Sequence, residues 1–296
     1  MKMYCNPLMV NADPFILFYE GKYYLYATNE QKGADTGFEV FESEDMSEWK
    51  NCGYVLRQGE GAIGNGGFWA PELLIRGKDI FMVYVTDEHL AISKAESPLG
   101  PFVQKRKKYL SEHKAIDGHF FVDDDGSVWL YYVRFDHGNV VYCARLSDDL
   151  ETLYEQEETF LLRAENSIAW ETVDSSVLEG PFVLKHNGLY YLTFSCNHTR
   201  SSEYAVGYAV SSAPDGPYKR YENNPILKKS DKAECTGHHS FVKTAKGELV
   251  CVYHSRNAGE KSPRRVCIDR AEFVKNSNGD DVLVIYGPTR TPQLSF

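Results

Sequence analysis

The stretch ADPFILFYEGKYYLYA, residues 12–27, contains the unit that decides the fold. An apolar segment follows Asp13, a turn glycine stands at Gly21, and a Tyr-rich segment runs from Lys22 to Ala27. Two short segments of aromatic and β-branched residues around such a turn are typical of a β-hairpin. Similar segments fill most of the chain, and residues 147–158, the least strand-like, have room for a turn of helix. The sequence therefore predicts an all-β protein.

The hairpin recurs five times, at intervals of about 60 residues. The turn glycines of the five copies are Gly21, Gly77, Gly126, Gly188 and Gly247. Roughly eight or nine residues before each glycine, the first segment opens on Asp13, Trp69, Asp117, Glu179 and His238. A third strand-like segment follows each hairpin, so that five units of about four strands predict a five-bladed β-propeller. Its four-stranded antiparallel blades would surround a central channel and fill residues 1–296 as one domain. A pair of β-sandwiches is the alternative, and the fixed spacing argues against it.

Composition excludes several classes of protein. The 296 residues are 43% hydrophobic and 14% aromatic, enough apolar surface for a folded core. A net charge of -10 without a long basic run argues against nucleic acid or an anionic membrane as a partner. The sequence contains no apolar stretch typical of a signal peptide or a membrane span. Its seven cysteines are scattered without a C-x-x-C pair, and we therefore expect a cytoplasmic protein with reduced thiols.

The five residues that open the repeats should converge, because the innermost strands of a propeller line its channel. They comprise three acids, one indole and one imidazole. Each acid alone has an ordinary explanation in turn chemistry, but clustered carboxylates repel one another and their pKa values move apart. A pair of carboxyl groups, one protonated and one ionised, is what glycoside hydrolysis requires. The apolar surroundings of Glu179 suit the protonated general acid, Asp13 suits the ionised base, and Trp69 offers a flat face to a sugar ring.

Five short motifs stand at the repeated position: NADP (11–14), FWAPE (68–72), AIDG (115–118), LEGP (178–181) and TGHHSF (236–241). Together, and in this order, they resemble the motifs of glycoside hydrolase family 43. The resemblance implies a five-bladed propeller that hydrolyses glycans containing arabinose or xylose with inversion at the anomeric carbon. It implies that Asp13 is the general base, Glu179 the general acid, and Asp117 the residue that tunes the pKa of the acid and orients it.

The resemblance also implies sites around these acids. The family often holds Ca²⁺ in the central channel, and His238 would contact the ion through its water shell. Phe68 and Trp69 are expected to contact substrate, whereas His119 either contacts substrate or fills the channel wall. Arg264 is favoured over Arg265 as an arginine that reaches substrate hydroxyls, with a surface salt bridge as the alternative.

The function predicted from the sequence is an exo-acting glycosidase, an α-L-arabinofuranosidase with possible β-xylosidase activity on arabinoxylan- or arabinan-derived oligosaccharides. The expected cytoplasmic location favours imported oligosaccharides over polymer as substrates. An endo-acting arabinanase or xylanase is the enzymatic alternative. A non-catalytic sugar-binding propeller is the alternative outside enzymes, and it would be expected to lack at least one of the three acids.

Overall fold

The computed structural model describes residues 2–296, which form a succession of antiparallel sheets. The first strand is β1 (Met3–Tyr4). The first sheet comprises β2 (Ala12–Tyr19), β3 (Lys22–Thr28), β4 (Gly37–Ser43) and β5 (Lys50–Arg57). The second comprises β6 (Trp69–Arg76), β7 (Asp79–Thr86) and β8 (His89–Ala95). The third sheet comprises β9 (Ala115–Val122), β10 (Val128–Phe135), β11 (Asn139–Arg145) and β12 (Thr159–Arg163). The fourth comprises β13 (Leu178–His186), β14 (Leu189–Cys196), β15 (Ala205–Ser211) and β16 (Lys219–Arg220). The fifth comprises β17 (Ala233–Lys243), β18 (Leu249–Asn257), β19 (Arg265–Lys275) and β20 (Asp281–Ile285), and the last strand is β21 (Gln293–Leu294).

The first strands of the five sheets form a closed ring. Strand β2 contacts β6, β6 contacts β9, β9 contacts β13, β13 contacts β17, and β17 returns to β2. Within each sheet the later strands follow outward in chain order. This arrangement is a five-bladed β-propeller, which confirms the fold predicted from the repeat. In the second blade an isolated bridge between Lys94 and Val103 takes the place of a continuous fourth strand.

The five glycines that the repeat predicts to form hairpin turns do form them. Each lies in the turn between the first and second strands of its blade, with φ between 63° and 84°. This left-handed conformation is open to glycine at little steric cost, which explains why glycine recurs there. A single 3₁₀ turn at Glu155–Glu157 lies inside the segment expected to hold a turn of helix.

Buried tyrosines join neighbouring blades. The hydroxyl of Tyr26 in the first blade donates to the carbonyl of Pro98, 2.6 Å away, in the second. Tyr131 in the third blade donates in the same way to Pro214, 2.7 Å away, in the fourth. Both rings are fully buried, so the hydroxyl needs a partner and the turn carbonyl provides one. These contacts account for two similar turns, PLGPF (98–102) and PDGPY (214–218).

The two ends of the chain meet on the fifth blade. Strand β1 pairs antiparallel with β21. The side-chain amide of Asn6 donates to the carbonyl of Ile268 at 2.8 Å, and its oxygen accepts from the Ile268 N–H at 3.0 Å. All seven cysteines are free thiols. Among residues 2–296, no helix has the length and apolar character needed to cross a membrane.

Candidate active site

A bulge in each inner strand sets the direction of the central side chains. The register of every inner strand shifts near its start. At the shift a residue of each strand adopts a left-handed φ: Asp13, Ala70, Asp117, Gly180 and His238, with Cys235 as a second such residue in the fifth blade. Trp69 and Glu179 therefore stand one residue before the equivalent positions, so the expected five-fold equivalence holds for Asp13, Asp117 and His238 only. A left-handed φ costs a residue other than glycine roughly 1–2 kcal/mol, and such strain tends to cluster at functional sites.

A cleft of about 560 Å³ opens at this end of the channel. Residues from all five blades line it, including Asp13, Trp69, Asp117, Glu179, His238 and Arg264. The three acids are buried to more than nine-tenths. The structure thus brings together six residues that the sequence placed around the central channel, His238 among them as the expected neighbour of a metal ion.

Asp13 sits in a network of donors and cations. Its Oδ2 accepts from the Thr28 hydroxyl at 2.7 Å, and its Oδ1 accepts from Nη1 of Arg264 at 2.9 Å. The Nδ1 atoms of His254 and His238 lie 3.1 and 3.5 Å from the same Oδ1. Burial by itself would raise the pKa of Asp13, but Arg264 and the two imidazoles outweigh it and hold this pKa well below its usual range. Asp13 is therefore ionised at neutral pH.

Arg264 links Asp13 to a second acid of the cleft. Its Nε and Nη2 donate to Oε1 of Glu30 at 2.9 and 2.5 Å. Although burial acts in the opposite direction, Asp13 and Glu30 raise the pKa of Arg264, which remains a cation. The adjacent Arg265 pairs instead with Glu260 at 2.6 Å. Of the two arginines considered from the sequence, Arg264 is the one that lines the cleft.

Glu179 has neutral hydrogen-bond partners in place of cations. The Tyr204 hydroxyl donates to its Oε1 at 2.9 Å, and the Asn139 amide donates to its Oε2 at 2.8 Å. Burial and the nearby Asp117 carboxylate raise the pKa of Glu179 to about 7, against opposing effects of His238 and the two donors. A carboxyl group with this pKa is largely protonated in mildly acidic solution, which suits a general acid.

Asp117 and His238 lie between these two carboxyl groups. Oδ2 of Asp117 accepts from the N–H of Gly180, the residue after Glu179, at 3.1 Å. Nδ1 of His238 is 3.8 Å from the same Oδ2. Burial and the charge of Asp13 raise the pKa of Asp117, although His238 counteracts them. The three acids together raise the pKa of His238 against the effect of burial.

Two predicted substrate contacts lie elsewhere. Phe68 is 1% exposed and packs in the apolar core against Phe38 and Tyr84, because alternation along the chain turns it away from Trp69. The Nδ1 of His119 lies 2.7 Å from Oε1 of Glu72, and its Nε2 accepts from the N–H of Val183 at 2.9 Å. Both ring nitrogens of His119 are thus used within the scaffold. Neither Phe68 nor His119 lines the cleft.

Two partners of the acid were not predicted from the sequence. Tyr204 directly precedes β15, and Asn139 is the first residue of β11, so neither lies in the repeated inner-strand motif. One signal was present in TGHHSF, where Gly237 is needed for space: a Cβ there would lie 2.3 Å from Cε1 of Tyr204. The Asn139 contact depends on the packing of the third blade against the fourth, which no local pattern specifies.

The side chains around the channel differ from the set of ligands that a calcium ion takes. Calcium takes six to eight oxygen ligands, and in residues 2–296 no group of three His, Cys, Asp or Glu side chains could hold a metal. Below the cleft the channel narrows to a cavity of about 20 Å³, enough for about one water molecule. There, Nδ1 of His239 has no hydrogen-bond partner in the part of the chain described. These side chains do not form a calcium cage.

Comparison with known proteins places the chain in a family. The model for the glycosyl hydrolases family 43 matches residues 4–277. The chain belongs to glycoside hydrolase family 43. A solved structure described as an endo-1,4-β-xylanase from Bacteroides thetaiotaomicron is 35% identical, covers 98% of both chains and has a TM-score of 0.89. This family 43 protein is therefore a glycosidase.

Curated relatives have several activities in their names. The β-D-galactofuranosidase xynD of Aspergillus niger is 28% identical in an alignment of 284 positions that covers 88% of this chain and 79% of that protein. Xylosidase/arabinosidase 43B of Humicola insolens is 27% identical in an alignment of 300 positions, gaps included, that covers 93% of this chain and 53% of that protein. The family 43 chain is thus similar to enzymes named for furanosides and for xylosides.

The pH dependence of the enzyme should report the state of Glu179. A general acid is active only while protonated, so we expect kcat/KM to fall as the pH rises through about 7. Tyr204→Phe removes a donor that favours the carboxylate, and the alkaline limb should move upward by roughly 0.5–1 pH unit. Tyr191→Phe is the matched control, because this buried tyrosine of the same blade donates to the Asp281 carbonyl away from the cleft. An alkaline limb that stays in place in Tyr204→Phe would contradict the assigned contact.

Proposed function

We propose that the protein is an inverting, exo-acting glycosidase that releases α-L-arabinofuranosyl or β-D-xylosyl residues from oligosaccharides. The observation that carries the proposal is the opposite ionisation of two acids at one cleft. Asp13 is held ionised by Arg264, whereas burial and Asp117 keep Glu179 protonated up to about pH 7. Glycoside hydrolysis by two carboxyl groups requires this pair of states, and inversion is what the family resemblance implies.

The chemical step follows from these states. The Glu179 carboxyl gives its proton to the glycosidic oxygen as the bond from that oxygen to the anomeric carbon breaks. A water molecule attacks the opposite face of the anomeric carbon, and Asp13 accepts its proton. The hydrogen bonds from Thr28 and Arg264 to Asp13 fix its orientation. After the reaction Asp13 is protonated and Glu179 is ionised, and exchange with solvent restores both.

Asp117 acts through Glu179 in this proposal. Its bond to the Gly180 N–H positions the backbone next to the acid, and its charge raises the pKa of Glu179. His238 stands between Asp117 and Asp13 and partly balances their charges. Trp69, which lines the same cleft, provides an apolar face for the sugar ring.

Contacts between blades on the base side support exo action. The loop at 198–201 is tied to the fifth blade by Arg256, whose Nη2 donates to the carbonyls of Arg200 and Ser201 at 2.9 and 3.1 Å. The ion pair of Arg264 with Glu30 joins the fifth blade to the first. We infer that these contacts restrict the cleft beside the base, so that it accepts the end of a sugar chain. The names of the Aspergillus and Humicola relatives support a furanoside or xyloside as the substrate.

An endo-acting xylanase is the second candidate. The observation in its favour is the solved structure from Bacteroides thetaiotaomicron, which is described as an endo-1,4-β-xylanase and covers nearly the whole chain. The two candidates differ in their first products. An exo enzyme releases only monosaccharide from a long oligosaccharide, whereas an endo enzyme releases shorter oligosaccharides at once.

Hydrolysis by the wild type and by isosteric variants tests the proposal. The substrates are 4-nitrophenyl α-L-arabinofuranoside, 4-nitrophenyl β-D-xylopyranoside, and arabino- and xylo-oligosaccharides. We expect Asp13→Asn and Glu179→Gln each to lower kcat by about 10²–10⁴-fold, with Glu248→Gln, an exposed acid of the fifth blade, as control. Proton NMR of the first product should show the inverted anomer.

Four outcomes would contradict parts of the proposed function. Full activity in Asp13→Asn or Glu179→Gln would refute the assigned roles, and a retained anomer would refute inversion. Oligosaccharide products in the first turnovers would favour the endo candidate. A wild type that binds these sugars without hydrolysing any of them would support the non-catalytic propeller.

We propose Ca²⁺ only at the cleft end of the channel, where His238 lines the larger cleft. An ion there would be held mainly by water, with His238 beside its hydration shell. Dialysis against a chelator, followed by addition of CaCl₂, should then lower kcat and restore it. An unchanged kcat and an unchanged melting temperature after chelation would remove calcium from the account.

A further inference from the structure

A second cavity, called the side cavity below, lies on the outer part of the second blade. Its volume is about 360 Å³, within the range of roughly 300–1,000 Å³ that is typical of small-molecule sites. Phe81 and Ile92 line it from the second blade, and Leu150 lines it from the segment between β11 and β12. None of its residues lines the cleft that holds Asp13 and Glu179. The side cavity is therefore separate from the candidate active site.

The side cavity stands where the second blade lacks a continuous fourth strand. Val103 exchanges two backbone hydrogen bonds of 2.9 Å with Lys94 on β8, and the N–H of Leu110 donates to the carbonyl of Leu90 at 2.8 Å. In the part of the chain described, the edge of β8 between these contacts has no strand beside it, and residues 104–106 border the cavity there. Because the bordering segment is fixed at both ends, the cavity is formed before any ligand binds.

Three buried polar atoms of the side cavity lack a hydrogen-bond partner. They are Nη1 of Arg76, Oδ1 of Asp79 and Oγ of Ser93, and all three residues line the cavity. Ser93 is only 2% exposed. Residues 2–296 contain seven buried side-chain atoms without a partner, so three of the seven occur at this one place. Buried polar atoms in proteins usually have a partner, and this cluster indicates a ligand that provides the missing hydrogen bonds.

Ion pairs orient two of these polar groups. Oδ2 of Asp79 accepts from Nζ of Lys94 at 3.0 Å, and Nη2 of Arg76 lies 3.5 Å from Oδ1 of Asp148. Each group therefore has one atom fixed by a partner and a second atom free. Together with the Ser93 hydroxyl, the side cavity offers a donor, an acceptor and a group that can act as either. Neighbouring sugar hydroxyls, which both donate and accept, can satisfy all three.

The charges around the side cavity are nearly balanced. Five cationic and four acidic side chains line it, with Lys105 and Arg106 in one bordering segment and Asp149 and Glu151 in another. This balance favours an uncharged polar ligand over an ion. Beside the polar atoms, Phe81 belongs to an apolar surface continuous with the core, and the C–H face of a sugar ring can pack against an aromatic ring.

We propose that the side cavity is a second carbohydrate-binding site, which binds an uncharged sugar residue of a glycan. Arg76 donates to one sugar hydroxyl, Asp79 accepts from a neighbouring one, and Ser93 bonds to a third. The ring packs its C–H face on Phe81. A glycan held at this site stays close to the enzyme, which raises its effective concentration at the cleft. The inference does not depend on the chemistry proposed for the cleft.

Methyl NMR separates the two sites, because Ile92 lines the side cavity and Ile116 lines the cleft. Protein labelled with carbon-13 at the isoleucine δ1 methyl groups is titrated with xylotriose and with arabinotriose. Ile92→Val and Ile116→Val assign the two signals, and a Glu179→Gln background prevents hydrolysis during the titration. We expect the Ile92 signal to shift and to saturate with at least one of the two sugars.

Two variants test the polar contacts of the side cavity. Ser93→Ala should raise the Kd reported by Ile92 about fivefold, and Asp79→Asn should raise it about tenfold. The Kd reported by Ile116 should stay the same in both. Since the Ser93 hydroxyl has no partner in the described chain, Ser93→Ala should keep the wild-type melting temperature, which a serine with a structural role would not do.

Ser43→Ala is the matched control. Ser43 is a buried serine at the end of β4, the third strand of its blade as β8 is of the second, and its Oγ already accepts from the N–H of Met46 at 2.9 Å. This variant should keep the Kd values at both sites.

Three outcomes would overturn the second site. They are an Ile92 signal that neither sugar shifts, a Kd at Ile92 that both Ser93→Ala and Asp79→Asn leave unchanged, and a shift of Ile92 by inorganic phosphate but by neither sugar. The last would make the side cavity an anion site. The hydrolysis assays of the proposed function use other variants, so a failure there leaves this titration and its conclusion in place.

Discussion

The ion pair between Arg264 and Asp13 is the interaction on which the rest of the site depends. Three carboxyl groups lie buried at one end of the channel, and burial favours the neutral form of each. Arg264 provides one fixed positive charge, and its 2.9 Å contact is to Asp13. That contact determines which acid is ionised. Glu179 has neutral donors in place of a cation, and the neighbouring Asp117 pushes its pKa further upward.

The propeller supplies this asymmetry because its blades are similar in backbone and different in sequence. Each inner strand bulges near its start and places a residue at the bulge in a left-handed conformation. Asp13, Asp117 and His238 adopt this strained conformation, and their side chains line one cleft. Gly180 occupies the same position in the fourth blade and leaves its N–H for Asp117. The many contacts between blades, including those of Tyr26 and Tyr131, stabilise the fold and offset the free-energy cost of these backbone conformations.

The sequence was sufficient for the fold and for the central acids, because both repeat at a fixed spacing. It was less informative where a shift of one residue along a strand decides which way a side chain faces. Trp69 and Glu179 stand one position before the bulge, and Phe68 faces the core because it alternates with Trp69. The partners of Glu179 were not predicted. Tyr204 and Asn139 reach it from outside the repeated motif, through packing between blades.

A measurement of the protonation state of Glu179 most directly tests whether this residue is the protonated acid. Carbon-13 NMR of protein labelled at the glutamate side-chain carboxyl carbons, recorded from about pH 4 to 9, follows each glutamate separately. We predict one carboxyl signal that titrates near pH 7 and is missing from Glu179→Gln. If every glutamate signal has finished titrating by about pH 5.5, Glu179 is ionised in the working range and the account is contradicted.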